Sequence, residues 1–219
     1  MSRQTEQRKS ARLRRVAIVA VLVTAGATLA YLVYAYKPNI GAVVTSRDVG
    51  GSLDVSRKEN WAERVELAGV PNLHKVSEDV YRGAQPTAEG MQQLRKLGVR
   101  TIINLRSFHS DRDEIGETGL GYEHIYMKTW HPEDEEVMRF LKTITDPNRT
   151  PVFVHCQRGA DRTGTMCAIY RIAVEGWSKA AAIKEMTKGG FGFYSGWQNL
   201  VGYVRDLDVD AMKARAGCD

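Results

Sequence analysis

The chain has 219 residues and a formal net charge of +5, enough for one ordinary globular domain with appendages and too short for two. The whole excess lies in the first fifteen residues, where Arg3, Arg8, Lys9, Arg12, Arg14 and Arg15 oppose a single anion, Glu6, and the rest balances to zero. A neutral domain lacks the footprint of a nucleic-acid partner, and three cysteines, Cys156, Cys167 and Cys218, are too few for a disulfide scaffold.

In chain order, residues 1–15 read as a basic cytoplasmic leader. Residues 16–36 (VAIVAVLVTAGATLAYLVYAY) carry no charge and end in a cluster of tyrosines. A helix of that length spans about 30 Å, the hydrocarbon thickness of a bilayer. It is longer than the apolar region of a cleaved signal peptide and lacks an Ala-x-Ala at its end, so an uncleaved signal anchor is expected. The positive-inside rule keeps the leader in the cytoplasm and sends everything after residue 37 across the membrane. The expected protein is single-pass in the inner membrane, with its domain on the periplasmic or outer side.

Residues 37–70 read as a juxtamembrane linker, with a weak signal for a short helix over Trp61–Leu67. A regular domain is expected over 71–208, followed by a frayed tail, 209–219, in which Cys218 is a free thiol. Leu73–Val76 and Val80–Tyr81 predict short strands around a Ser-Glu-Asp turn. Thr87 caps a helix to Leu97, with Met91, Leu94 and Leu97 on one face and Gly98 as its stop. Val99–Leu105 is an apolar, β-branched run, hence a buried strand. Ser107–Gly121 reads as a loop and Tyr122–Met127 as a strand. A helix starts at Pro132 with Val137, Phe140, Leu141 and Ile144 as its apolar face. Pro151–His155 is a short buried strand, and helices are expected over Thr163–Val174, Ser178–Lys188 and Trp197–Leu207. Strands alternating with helices indicate an α/β domain with a central, largely parallel sheet flanked by helices, which binds its ligand at the carboxyl ends of the strands.

Strand Pro151–His155 runs directly into Cys156-Gln157-Arg158-Gly159-Ala160-Asp161-Arg162-Thr163-Gly164 and then a helix. A loop between a strand end and a helix start can turn its N–H groups inward as an anion nest at the positive end of the helix. Gly159 permits the backbone angles this needs. Cys156 faces that cup, which favours a thiolate. Arg162 returns to grip two phosphate oxygens with a bidentate fork, and Thr163 brings a hydroxyl to the sulfur. The chemistry expected is phosphoryl transfer through a cysteinyl phosphate, with substrate-binding residues Gln157, Arg158, Gly159, Ala160, Asp161 and Arg162. No metal or other cofactor is expected, because the five histidines are scattered and there is no Cys-x-x-Cys.

His-Cys-x5-Arg-Thr-Gly resembles the signature of the cysteine-based protein tyrosine and dual-specificity phosphatases. Residues 80–106 (VYRGAQPTAEGMQQLRKLGVRTIINLR) are similar to the opening of their small bacterial, fungal and plant members. The resemblance covers about residues 70–207 and implies a compact α/β phosphatase fold. It also implies a general acid upstream of the cysteine. Asp134 in Trp130-His131-Pro132-Glu133-Asp134-Glu135-Glu136 is the first choice, then Glu133 and His131, with Asp111 and Asp113 more distant. Asp161 is read as orienting the loop, Arg158 as a rim cation, His155 as shaping the loop and Cys167 as core packing. Gly189–Tyr194 reads either as an aromatic lip or as a helix connection. A phosphorylated protein or small phosphomonoester is the expected substrate, and the absence of a lysine at Ala160 points away from inositol phospholipids. The alternatives are an inositol phosphate or pyrophosphate phosphatase, and a weakly catalytic domain that captures phosphorylated ligands.

Overall fold

The computed structural model describes residues 60–218; the leader and the expected membrane segment, 16–36, lie outside the described residues. Among the described residues no helix is long and apolar enough to cross a membrane. Six strands, β1 (Glu63–Arg64), β2 (His74–Lys75), β3 (Val80–Gly83), β4 (Thr101–Asn104), β5 (Gly121–His124) and β6 (Val152–His155), form one sheet in the order β1-β2-β3-β6-β4-β5. The four strands from β3 to β5 in that order run parallel, and β2 and β1 add an antiparallel edge.

Alternation along the strands divides the core. Val80, Ile103, Val152 and Val154 face one side, whereas Tyr81, Ile102 and Phe153 face the other, as a period of two requires. The second side is covered by helix α1 (Ala88–Lys96), through Met91 and Leu94, and by Ile115 of the short helix α2 (Arg112–Ile115). The first side is covered by α3 (Asp134–Ile144), α4 (Asp161–Ala173), α5 (Lys179–Lys188), α6 (Gln198–Asp206) and α7 (Val209–Ala216). Helix α4 presents an almost wholly buried surface, from Thr163 to Ala173, because it runs between the sheet and the outer helices. The register aligns Gly83, His155, Asn104 and His124 at the carboxyl ends of the four parallel strands, and this row is the floor of the candidate site.

Three expectations are corrected. Trp61–Leu67 is not a helix: Glu63–Arg64 is the edge strand, paired to β2. Residues 60–70 therefore belong to the domain rather than to a linker, with Val65, Leu67 and Val70 packed on the α1 side. Ser107–Gly121 contains α2, a single turn too short to show periodicity. The tail is not frayed, because the Asp208 carboxylate accepts from Ala211 N–H to start α7 and Gly217 closes it at φ 70°; a left-handed residue there suits glycine.

The described N-terminus is fastened by one buried cation. Arg171 donates from Nε and Nη2 to the two oxygens of Glu185 at 2.8 Å each, and also to Glu175, Val76 O and Asn60 O. Glu185 in turn accepts from Ala62 N–H at 2.7 Å. Both side chains are nearly inaccessible, so removing one partner strands the other's charge. Glu185→Ala is expected to lower the unfolding free energy by about 3–5 kcal/mol, read by urea denaturation. A loss of the size of a surface pair, below about 1 kcal/mol, would contradict this role.

Candidate active site

A loop that offers N–H groups to an anion must turn its carbonyls away, and here those carbonyls are held from outside. Gln157 O accepts from Gln85 N–H at 3.4 Å, Arg158 O from Asn72 Nδ2 at 3.0 Å, and Gly159 O and Ala160 O from Arg82 Nη2 at 2.8 and 3.4 Å. Arg82 is itself buried and stacked 3.8 Å over the Phe191 ring. Asn72 adopts a left-handed backbone, φ 54°, which asparagine tolerates better than most residues. Gly159 sits at φ +69° so close to β3 that a Cβ there would lie 2.3 Å from the Gly83 carbonyl. No side chain fits between the loop and the sheet.

Cys156, 2 % exposed, lies at the carboxyl end of β6. Burial alone pushes its thiol up. The Thr163 hydroxyl, the Arg162 charge and the N–H groups of Thr163 and Arg158 outweigh burial and hold it below the ordinary thiol value. Thr163 Oγ1 is buried and makes no hydrogen bond elsewhere in the protein, which leaves its donor available to the sulfur. Arg162 Nη1 donates to Leu105 O at 3.2 Å and Met127 O at 3.4 Å, which aims the guanidinium from the segments that follow β4 and β5. Gln157 and Arg158 are exposed on the rim, whereas Gly159 and Ala160 are buried. Asp161 Oδ1 accepts from Tyr194 N–H at 2.8 Å, which ties the 189–194 run to the loop. Of that run, Phe191 is in the core beneath Arg82 and Tyr194 is exposed. Cys167 is buried in α4, its thiol pushed up to about 11 by burial. Cys218 Sγ lies 3.1 Å from Thr145 Oγ1.

Asp134 is the first residue of α3. Its Oδ1 accepts from Tyr203 Oη at 2.9 Å, and its Oδ2 lies 3.6 Å from Arg215. His131 Nε2 is 3.7 Å from Glu133 Oε1, and both are exposed. Asp111 is elsewhere, fully buried against His155. His109, Asp111 and Glu114 each bring a ligand-type atom within 4.8 Å of the others, a juxtaposition that the scatter of the histidines does not foretell. Both Asp111 oxygens are already hydrogen-bonded, to Gln85 and His155. Asn72, Arg82 and Gln85, the residues that frame the loop, were not picked out from the sequence as framing residues. Two of them stand in the YRGAQP run, and an arginine in a short buried strand is the signal that would have found one.

Glu136, the third residue of α3, closes a capping box with Glu133. Burial, with Glu133 nearby, raises its carboxyl from 4.5 to about 7, against the opposing N–H groups of Glu133 and Lys128. A raised carboxyl contributes stability that is complete below 4.5 and is lost as pH rises through about 7. Glu136→Gln keeps the acceptor and removes the titration. It is expected to match the parent in thermal stability near pH 4.5 and to exceed it near pH 8. Equal stability at both pH values would contradict a raised carboxyl.

The family model described as "DSP-PTPase phosphatase fused to NAD+ Kinase" matches residues 59–196. The dual specificity protein phosphatase TpbA of Pseudomonas aeruginosa is 33 % identical over 180 residues, covering 80 % of this chain and 81 % of that protein. The crystal structure of a cysteine-to-serine variant of TpbA in complex with phosphotyrosine superposes with a TM-score of 0.65 at 32 % identity, covering 75 % of this chain and all of that one. Inositol diphosphatase DSP5 of Arabidopsis thaliana is 27 % identical over 154 residues, covering 65 % of this chain and 72 % of that protein. A thiolate cup framed in this way, in a chain with these relatives, identifies a cysteine-dependent phosphatase that belongs to the protein tyrosine and dual-specificity phosphatase family.

Proposed function

We propose that Cys156 is the nucleophile and that the preferred substrate is phosphotyrosine in a protein or peptide. The observation that carries the first part is a buried thiol held toward thiolate by Thr163, Arg162 and two loop amides. Sγ attacks phosphorus in line with the leaving oxygen; the S–P bond forms as the P–O bond breaks and an acid protonates the leaving alcohol or phenol. Water then attacks the cysteinyl phosphate, giving up a proton to the same group, and inorganic phosphate leaves with the thiolate restored. Loop amides and Arg162 meet the equatorial oxygens in both steps. Asp134, beside the loop that starts at the Arg162-bound Met127, is our choice for the acid, with Glu133 and His131 as the other acidic groups of that loop.

The phosphotyrosine reading is supported by the TpbA complex and by exposed aromatics beside the site. Phe108 and Trp130 are 93 % and 62 % exposed, a few residues beyond the Leu105 and Met127 carbonyls that hold Arg162. A phenyl ring can stack on such groups. Inositol pyrophosphate is the second reading, favoured by exposed Arg158 and the Arabidopsis relative. We also propose that residues 16–36 anchor the chain, with the domain extracytoplasmic, on the strength of the uncharged run and its basic leader.

The full chain should release phosphate from p-nitrophenyl phosphate in excess EDTA, and Cys156→Ser should abolish release. Activity that persists in Cys156→Ser rejects the mechanism. With a phosphotyrosine peptide, Asp134→Asn should lower kcat by about 10²–10⁴, the usual contribution of a general acid. An undiminished rate moves the acid to Glu133 or His131. Faster turnover of inositol pyrophosphate than of phosphotyrosine peptide would favour the second substrate reading. Carbonate-resistant sedimentation of the full chain with membranes, with the domain open to protease only from the outer side, tests the topology.

A further inference from the structure

Asp111 is fully buried, 44 positions before the residue it holds. Its Oδ2 lies 2.7 Å from His155 Nε2, its Oδ1 accepts from Gln85 Nε2 at 2.9 Å, and its own N–H donates to Tyr122 Oη at 3.0 Å. His155 is equally buried, immediately precedes Cys156, and directs its other ring nitrogen, Nδ1, at the Cys156 carbonyl at 3.3 Å. A peptide carbonyl and an ionised carboxylate only accept hydrogen bonds. A ring with an acceptor at each nitrogen satisfies both only by donating from both, that is, as imidazolium. The ring faces are closed on one side by Phe153, stacked at 5.6 Å between centroids.

We propose that Asp111 is a positioning residue for the reaction, which through its 2.7 Å contact keeps His155 doubly protonated, a buried cation abutting Cys156, and so helps to hold the nucleophile as thiolate. The pair is neutral as a whole, so it acts as a dipole whose positive end faces Cys156 and whose negative end faces away. Donation from Nδ1 also fixes the Cys156 carbonyl, where the chain leaves β6 for the loop. The carboxylate is suited to this. Burial would raise it, but contacts with His155, Gln85 and His109 outweigh burial and keep it below its ordinary value. Other charged or titratable groups facing the pair are Arg162 across Cys156, His109 Nε2 at 3.6 Å from Asp111 Oδ1, and Arg106, which reaches Gln85 Oε1 at 3.1 Å.

The inference rests on Cys156 as the nucleophile, so its test reads the sulfur and not turnover. The rate of iodoacetate alkylation at Cys156, followed by mass spectrometry of its peptide in the folded full chain, gives a pH profile whose midpoint reports thiolate formation. Asp111→Asn should move the midpoint upward by about one unit or more, the scale of a nearby charge, and lower kcat/KM when turnover is measured. His155→Gln should move it in the same direction, and adding Asp111→Asn to His155→Gln should move it no further. A profile unmoved in Asp111→Asn, or a double substitution whose shift is the sum of the single ones, overturns the proposal. If Asp111→Asn shows no cooperative thermal transition, His155→Gln decides alone, and an unmoved midpoint there overturns it. A chain that alkylates with the expected shifts and hydrolyses no phosphomonoester would instead refute the phosphatase reading and leave this one standing.

Discussion

A phosphate dianion can be held by peptide N–H groups only if the carbonyls of the same peptides are satisfied elsewhere, since a carbonyl turned into the cup would repel the ligand and an unpaired one would be costly in a buried loop. In this domain Asn72, Arg82 and Gln85 meet that demand from outside the loop. The arrangement explains why an arginine lies fully buried in a four-residue strand and why Phe191 closes over it. It also explains Gly159, since the loop has to press against the Gly83 backbone for Arg82 to reach its carbonyls. The cup is thus built by the sheet edge behind it as much as by its own residues.

The electrostatics run in the same direction. Burial opposes the thiolate, and what defeats burial is a set of fixed donors: the Thr163 hydroxyl, the guanidinium of Arg162, and the backbone amides of Arg158 in the loop and Thr163 at the start of α4. Each is positioned by a different part of the chain. Arg162 is aimed by carbonyls that follow β4 and β5, and Asp161 ties the loop to the 189–194 run. Preorganised donors of this kind need no rearrangement as charge develops, which makes them effective in transition states. The price is a site that tolerates little displacement of its frame.

The α/β class, the strand before Cys156 and the helix after it were legible because each rests on local periodicity and on a loop chemistry set by adjacent residues. Helix α1 was legible to within a residue, since Thr87 and Gly98 mark its ends. The short helix α2, the edge strand β1 and the terminal helix α7 were not. Elements of two to four residues have no period, and α7 is held by packing on α3 and α4 as well as by its caps.

What the sequence determined by itself was the proposed reacting set, Cys156, Arg162 and Thr163, because a loop of five intervening residues and one helix start bring them together whatever the rest does. The separation of Asp111 from His155, of Asn72 from Arg158, and of Asp134 from Tyr203 and Arg215 left those pairings to the tertiary structure. They join segments dozens of residues apart through side-chain contacts of about 3 Å, and no local pattern encodes which distant donor will meet which acceptor once the strands have been set in register.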